Sequence, residues 1–409
     1  MGIGPLLSAL RRHKLVMWLL VLEIATTCAI VCNAVFLIAH HLQRMQLPSG
    51  IAEHELVLVD MAYIGDRTDA NARAQSDLAA LKQIPGVKQV ALINGAPFAS
   101  GSNTEIKLQP QQQERSLSVG LFFGQNLLPT FGTRLIAGRG FRSDEFTALS
   151  VATTALENGD LKNLPHVTVI TQAVAQKLWP GQDALGRTVY FGKDIPLQVI
   201  GVMAQLTRPA GGFSDGAEYT MALPISIAMS EGGLYLIRCA SQDRARVVKA
   251  AVAKLRQLDP NRVLLRQRTF DQVRDDFFQS DRSMAGILVG ACIALLIVTA
   301  LGIVGLASFW VAQRRKQIGI HRALGATRGD IVRYFQTENF LIVSIGVALG
   351  TVLAFAINVE LMQLNQTARL PLFYLPIGAI ALWCLGQIAI LGPALRAGKV
   401  PPMVATRSV

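Results

Sequence analysis

The run MAGILVGACIALLIVTALGIVGLASFWV, Met284 to Val311, decides what kind of protein this is. It holds no Asp, Glu, Lys or Arg and is longer than the roughly 20 apolar residues needed to cross the hydrocarbon of a bilayer. A helix that is apolar on every side has no polar face to offer to water. Three further windows satisfy the same requirement: LVMWLLVLEIATTCAIVCNAVFLIA from Leu15, FLIVSIGVALGTVLAFAI from Phe340 and LPIGAIALWCLGQIAILG from Leu375. The composition agrees, with 51% hydrophobic and 16% charged side chains over 409 residues. The first run follows Arg11, Arg12 and Lys14, but its length exceeds the 7 to 15 residues of a signal-peptide core and no A-x-A-like site closes it, so it reads as an anchor.

Basic residues around these runs set an expected orientation. Arg11, Arg12 and Lys14 precede the first span; Arg314, Arg315, Lys316, Arg322, Arg328 and Arg333 separate the second and third; Arg396, Lys399 and Arg407 follow the fourth. All three segments read as cytoplasmic, so the net charge of +12 needs no nucleic acid to explain it. The expected layout is a cytoplasmic N-terminus at 1–14, a first span at 15–39, an extracytoplasmic domain at 40–283 and a second span at 284–311. A cytoplasmic segment at 312–337, a third span at 338–358, a short outer link at 359–371, a fourth span at 372–392 and a cytoplasmic tail at 393–409 complete it. This places the chain in the inner (plasma) membrane, multi-pass, with both termini cytoplasmic, in contact with membrane lipids.

The segment between the first two spans has ordinary globular composition and alternates strand with helix. HELVLVD, ANARAQSDLAALKQI and PGVKQVALIN read as strand, helix and strand; GGLYLIRCA, DRARVVKAAVAKLRQLD and PNRVLLRQRTF repeat the pattern. The fold class expected is an α-helical membrane protein with four transmembrane helices and a large α+β extracytoplasmic domain. Within that domain, an interrupted βαβ, porter-like subdomain carries an inserted second subdomain from about Phe98 to Ala228.

Enzymatic chemistry finds no support. GQDALGRT matches the Gly181-x4-Gly186 spacing of a phosphate loop, but Arg187 stands where the lysine belongs and QAVAQKLWP before it is helical where a strand is required. His40, His41 and His54 lack the spacing of a zinc protease and read as solvated. Cys28, Cys32, Cys292 and Cys384 fall in the spans, leaving Cys239 alone outside, so no disulfide is expected in the outer domain. Cys28 and Cys32 read as packing residues rather than metal ligands. Neither a catalytic nor a metal site is expected.

Two intramembrane features stand out. Glu23 lies about 12 Å into the first span at 1.5 Å per residue, so it is either protonated or bonded to a polar partner such as Gln387 of the fourth span. Gly286-x3-Gly290 and Gly346-x3-Gly350 have the spacing that lets helices approach closely, with packing inside the chain the ordinary use.

Between the second and third spans stands QRRKQIGIHRALGATRGDI, Gln313 to Ile331. Ile318, Ala323 and Leu324 offer apolar contacts and Gly325 a left-handed helix end. The stretch resembles the signature of MacB/FtsX-like ABC transporter permeases, approximately E-R-x-x-E-I-G-I-x-R-A-x-G-A, best from Ile318 to Ala326 and with Glu338 at a position the family often makes acidic; it departs at Gln313 and Gln317. NLLPTFGTRLIAGRGF, VTVITQAVAQKLWPGQDALGRTV with LQVIGVM, and GPALRAGKVPPMVATRS are similar to other family patterns in the same order. The resemblance implies a permease subunit, itself no enzyme, working as a dimer with a second permease copy or a homologous permease. It implies a separate ABC ATPase that binds ATP and Mg, no cofactor in this chain, and a periplasmic adaptor as a further partner. It also implies coupling to the ATPase through Ile318, Gly319, Ile320, His321, Arg322, Ala323, Leu324 and Gly325, for export or for extraction of a periplasmic substrate. A non-transporting transmitter or lipoprotein-releasing subunit of the same fold, and a membrane receptor without an ATPase, are the competing expectations.

Overall fold

The computed structural model describes residues 14–63, 69–110, 117–192, 194–209, 216–228, 232–365 and 371–399. Arg11, Arg12 and Arg407 of the expected flanks lie outside them, as does all of the tail after Lys399. The chain forms two compact units, a helical one from Met1–Gln46 with Ser280–Val409, and an α+β one from Leu47–Gln279.

The helical unit contains α1 (Lys14–Met45), and the α+β unit contains α2 (Ala70–Lys82), α3 (Leu127–Phe131), α4 (Leu149–Asn158), α5 (Gln172–Leu178), α6 (Arg244–Leu258) and α7 (Phe270–Phe277). The chain then returns to the helical unit with α8 (Gln279–Gln313), α9 (Arg315–Ala323), α10 (Arg328–Asn365) and α11 (Tyr374–Gly398). Among the described residues four helices are long and apolar enough to cross a membrane: α1, α8, α10 and α11. They overrun the apolar windows, α1 past residue 39 to Met45, α8 starting before 284 at Gln279, α10 at Arg328 rather than 338, and α11 past 392 to Gly398. Hydropathy marks only the part that must lie in hydrocarbon, whereas the i→i−4 ladder continues until a residue breaks it.

α1 is the core of the helical unit. Leu20, Val21, Ile24, Cys28 and Cys32 are buried against Ile342, Val343, Val347 and Ala354 of α10 and Ala379 and Leu382 of α11. Glycines make this approach possible. A Cβ on Gly346 would stand 2.7 Å from Ile24 Cγ2, one on Gly350 2.5 Å from Cys28 Cβ, and one on Gly378 2.4 Å from Cys32 Sγ. Cys28 and Cys32 are therefore packing groups, and Gly346-x3-Gly350 is spent inside the chain. Gly286 and Gly290 have nothing within 4 Å of a built Cβ, so α8 presents its own small-residue spacing unpartnered. Polar bonds pin the bundle: Thr27 and Thr299 hydroxyls lie 2.9 Å apart, Asn33 Nδ2 donates to the Ala354 carbonyl at 3.0 Å, and Asn339 Nδ2 to the Gly386 carbonyl at 2.9 Å.

In the α+β unit, the strand–helix–strand repeats form as the alternation predicts: β1 (Leu56–Tyr63), α2, β2 (Val87–Ile93), and β12 (Gly232–Cys239), α6, β13 (Arg262–Thr269). β1 lies between β12 and β13, antiparallel to both, and β12 pairs with β2. Val57, Val59, Tyr235 and Ile237 face Leu81 of α2 and Val247, Ala251 and Leu255 of α6. The insert contributes β3 (Ser102–Lys107), β4 (Leu117–Gln125), β5 (Leu135–Gly138), β6 (Thr147–Ala148), β7 (Val167–Thr171), β8 (Thr188–Phe191), β9 (Ile195–Met203), β10 (Thr220–Leu223) and β11 (Ile225–Ser226). Its ladder returns on itself, because β10 pairs with both β7 and β4. The sequence β10, β7, β9, β8, β3, β4 is thus a closed ring around Ile106, Val119, Ile170, Val199 and Met221, and closure removes the exposed edges an open sheet would carry. β4 also pairs with β2, joining the ring to the βαβ sheet. At that junction Gly124 has φ +151°, and a Cβ there would stand 2.3 Å from the Leu92 carbonyl oxygen.

Candidate coupling site

α9 is a short amphipathic helix whose two ends are fastened to different neighbours. At its start, Arg314 Nη1 donates to both carboxylate oxygens of Glu338 in α10, at 3.1 and 3.0 Å. Near its end, Arg322 Nη1 donates to the Gly398 carbonyl at 2.8 Å, satisfying a C-terminal carbonyl of α11. Between these bonds Ile318 and Gly319 are buried, Ile318 against Val311, Ile331, Phe335, Ile390, Ala394 and Ala397.

The exit from α9 is defined just as closely. Gly325 has φ +101°, the left-handed conformation that glycine adopts without penalty. The Ala326 N–H donates to the His321 carbonyl at 3.1 Å and the Gly325 N–H to the Arg322 carbonyl at 3.2 Å, the paired bonds of a Schellman end. α10 then starts from a reciprocal cap: the Asp330 N–H donates to Thr327 Oγ1 at 3.2 Å, and the Thr327 N–H to Asp330 Oδ2 at 3.0 Å.

The expected apolar face of α9 needs correction. Ile318 and Leu324 are six residues apart, and at about 100° per residue their directions diverge by roughly 120°. Ile318 is 5% exposed and belongs to the chain's own core, whereas Leu324 is 82% exposed and Ile320 44%. Ile320 and Leu324, one turn apart, are the outward apolar pair, with His321 and Ala323 exposed beside them and Arg315 and Lys316 exposed at the helix start. Leu324 and His321 also border an open groove of about 720 Å3 that continues to Asp330, Arg333, Tyr334 and Thr337 of α10.

The other singled-out residues fall into place differently. Glu23 does not bond to Gln387. It faces Gly302 of α8, where a Cβ would come within 2.7 Å of either carboxylate oxygen, and Gln387 Nε2 is buried with no hydrogen-bond partner. Nor is His41 solvated, since its Nδ1 lies 2.6 Å from Asp281 Oδ1, with Arg44 Nη1 at 3.3 Å from the same oxygen. His54 is largely exposed, with Nδ1 2.9 Å from Asp271 Oδ1. GQDALGRT forms a loop between α5 and β8, the reverse of the strand-to-helix passage a phosphate loop needs, and Arg187 folds back onto the Asp183 carbonyl and Gln182. Among the described residues no group of three or more His, Cys, Asp or Glu side chains is arranged to hold a metal.

Two constellations in the α+β unit had no local signal in the sequence. Asp77, 1% exposed, accepts from Arg262 Nη2 at 2.7 Å, Tyr235 Oη at 2.6 Å and Tyr63 Oη at 3.0 Å, tying α2 to β13, β12 and β1. Burial, first, and the Asp77 charge push the Tyr235 phenol far above its ordinary range, and burial also raises Tyr63, so both stay donors. Where the chain enters and leaves this unit, Arg274 donates to the Leu47 carbonyl at 2.8 Å and to Glu53 Oε1 at 2.9 Å. Its guanidinium also lies 5.0 Å from the ring centre of Phe98 and 5.4 Å from that of Phe278.

Comparison with known proteins gives this architecture relatives. The family model described as MacB-like periplasmic core domain matches residues 26–255, and that described as FtsX-like permease C-terminal matches 289–402. The macrolide export ATP-binding/permease protein MacB 1/2 of Paracoccus denitrificans is 25% identical over 414 residues, covering 98% of this chain and 57% of that protein. MacB of Chromobacterium violaceum is 25% identical over 332 residues, covering 78% and 48%. The pyoverdine export ATP-binding/permease protein PvdT of Pseudomonas aeruginosa is 25% identical over 367 residues, covering 82% and 48%. The chain thus spans about half the length of the curated relatives it matches. Among solved structures, the periplasmic region of MacB from Actinobacillus actinomycetemcomitans aligns with 16% identity and a TM-score of 0.35, covering 57% of this chain and 97% of that one.

Proposed function

From the premise that this chain belongs to the family of FtsX-like permeases with a MacB-like periplasmic core domain, we propose that it is the membrane subunit of an ATP-driven ABC transporter. In this reading a partner ABC ATPase binds ATP and Mg and rests on α9. Hydrolysis shifts the helical unit, and the α+β unit, on the periplasmic side of the inner membrane, moves a substrate for export or extracts it from that side. Both termini are then cytoplasmic, the permease acts as a dimer, and a periplasmic adaptor is a further partner.

The observation that supports this most directly is the construction of α9. Ile320 and Leu324 stand exposed on a helix that is anchored at one end by Arg314 to α10 and at the other by Arg322 to α11. A push on that face is delivered to two long helices at once. Burying the pair against a partner contributes roughly 1.5 to 3 kcal/mol per side chain. The Arg274 clamp supports the same reading, because it joins the entering and leaving segments of the α+β unit.

The test is Leu324→Asp in the intact chain at matched membrane levels. Placing a carboxylate in a desolvated contact costs several kcal/mol, so the variant is expected to lose co-purification of an ABC ATPase while keeping its own folding. Retention of the ATPase at parental levels rejects α9 as the contact.

A further inference from the structure

The α+β unit carries a surface for which neither the fold nor the proposed coupling has a use. We infer that the layer formed by α2 and α6 is a docking surface for an acidic amphipathic helix of a partner protein. α6 contains Arg244, Arg246, Lys249, Lys254 and Arg256 and no acidic residue. The one acid of α2, Asp77, is buried and paired with Arg262. Arg244 and Arg246 are engaged, with Asp271 and Asp243, whereas Lys82, Lys249, Lys254 and Arg256 have no carboxylate partner among the described residues. The layer therefore presents uncompensated positive charge on a folded surface.

Its shape narrows the occupant. Between the C-terminal half of α6 and the end of α2 runs an open groove of about 590 Å3, with Ala80, Ile84, Pro85, Ala250 and Ala253 along it and Lys254 at its edge. The alanines fall on one stripe of α6 with Lys254 and Gln257, at the i, i+3, i+4, i+7 spacing of a helix face. Small side chains along the groove make room for the apolar ridge of another helix, and Lys254 among them meets a carboxylate beside that ridge. The partner is accordingly a protein helix with small or medium apolar residues every third or fourth position, bordered by Asp or Glu.

A photo-crosslinking residue placed at Gln257 of the full chain in cells tests this, with the adducts identified by mass spectrometry. The expected adduct is a protein segment with acidic residues at helical spacing. Lys254→Glu is expected to reduce it at least tenfold, and reversing a carboxylate of the captured segment to lysine is expected to restore it. Ala253→Trp, which fills the trough without changing charge, is expected to abolish it too. Adducts to lipid or nucleic acid, to a segment without acids, no adduct at all, or adducts indifferent to both substitutions overturn the inference. ATPase co-purification is read in the same strains. It is expected to be unchanged, which separates failure here from failure of the α9 contact.

Discussion

Both units bury an arginine against a carboxylate, and they do it in opposite ways. In the α+β unit Asp77 receives Arg262 and two tyrosine hydroxyls, and the side chains of the ion pair are 2% and 1% exposed. In the helical unit Glu338 meets one nitrogen of Arg314, which stays 17% exposed. A buried charge with several donors is strongly held, since each bond contributes to meeting the cost of leaving water. In both pairs one guanidinium nitrogen makes the contact, but Asp77 has two further donors and almost no access to water, whereas Arg314 keeps an edge in solvent. The Asp77 network therefore fixes α2 on its sheet more firmly than the Arg314–Glu338 pair fixes the start of α9.

Asp77→Ala is the strongest way to break this contrast. It leaves the Arg262 guanidinium buried without its anion, and truncating one partner of such a pair costs roughly 3 to 5 kcal/mol. The α+β unit of the full chain in detergent is expected to unfold at clearly lower temperature or denaturant. A loss below about 1 kcal/mol would mean that the network is not what fixes α2 on the sheet. Next in size comes Gly350→Leu. Its Cβ would meet Cys28 at 2.5 Å, so overpacking is expected to cost roughly 1 to 3 kcal/mol in the helical unit. Gly290→Leu, at a position with open space around it, is the matched control and is expected to leave monomer stability unchanged.

Much of this was legible in the sequence where the cause is local. Hydrocarbon demands composition, so the spans could be counted, and alternation with helix-period segments gave β1, α2, β2 and β12, α6, β13. Gly325 was legible as a helix end because so few residues tolerate positive φ. The divergence of Ile318 and Leu324 onto different faces follows from their spacing, but the face that turns inward depends on Ile390, Ala394 and Ala397, far along the chain. The Asp77–Arg262 pair spans 185 positions and His41–Asp281 spans 240, and nothing in either neighbourhood announces the other. Closure of the β3–β10 ring was hidden for the same reason, since it depends on β10 choosing β4 as well as β7.

The joint itself is sharpened by Glu338→Gln. The amide still accepts from Arg314 but no longer carries charge, so the stability of the helical unit is expected to change by only about 1 kcal/mol. On the proposed function, its effect belongs in coupling. ATP turnover by the assembled complex is expected to persist while turnover-linked transport falls, because α9 is no longer held to α10 by an ion pair. Parallel loss of both activities would assign Glu338 to folding alone.

The smallest effect is a pH dependence of the α+β unit. Hydrogen bonds from Lys88 and then Arg238 hold the Glu55 carboxyl below its ordinary range, and one from Arg139 does the same for Glu145. A carboxylate depressed in the fold contributes stability that is present above its unfolded pKa, about 4.3 for glutamate, and lost as pH falls through the folded value. Asp60 has the reverse sign. Burial raises it, so its contribution is present below the unfolded pKa and lost as pH rises through the raised folded one. These groups keep contact with solvent, and pairs of that kind are worth roughly 0 to 1 kcal/mol each. The full chain is therefore expected to show a shallow acid limb that Glu55→Gln flattens and a loss toward neutral pH that Asp60→Asn removes. If both substitutions shift the whole curve without changing its slope, titration of these carboxylates is not coupled to folding, and the α+β unit is held by its buried Asp77 network and apolar core alone.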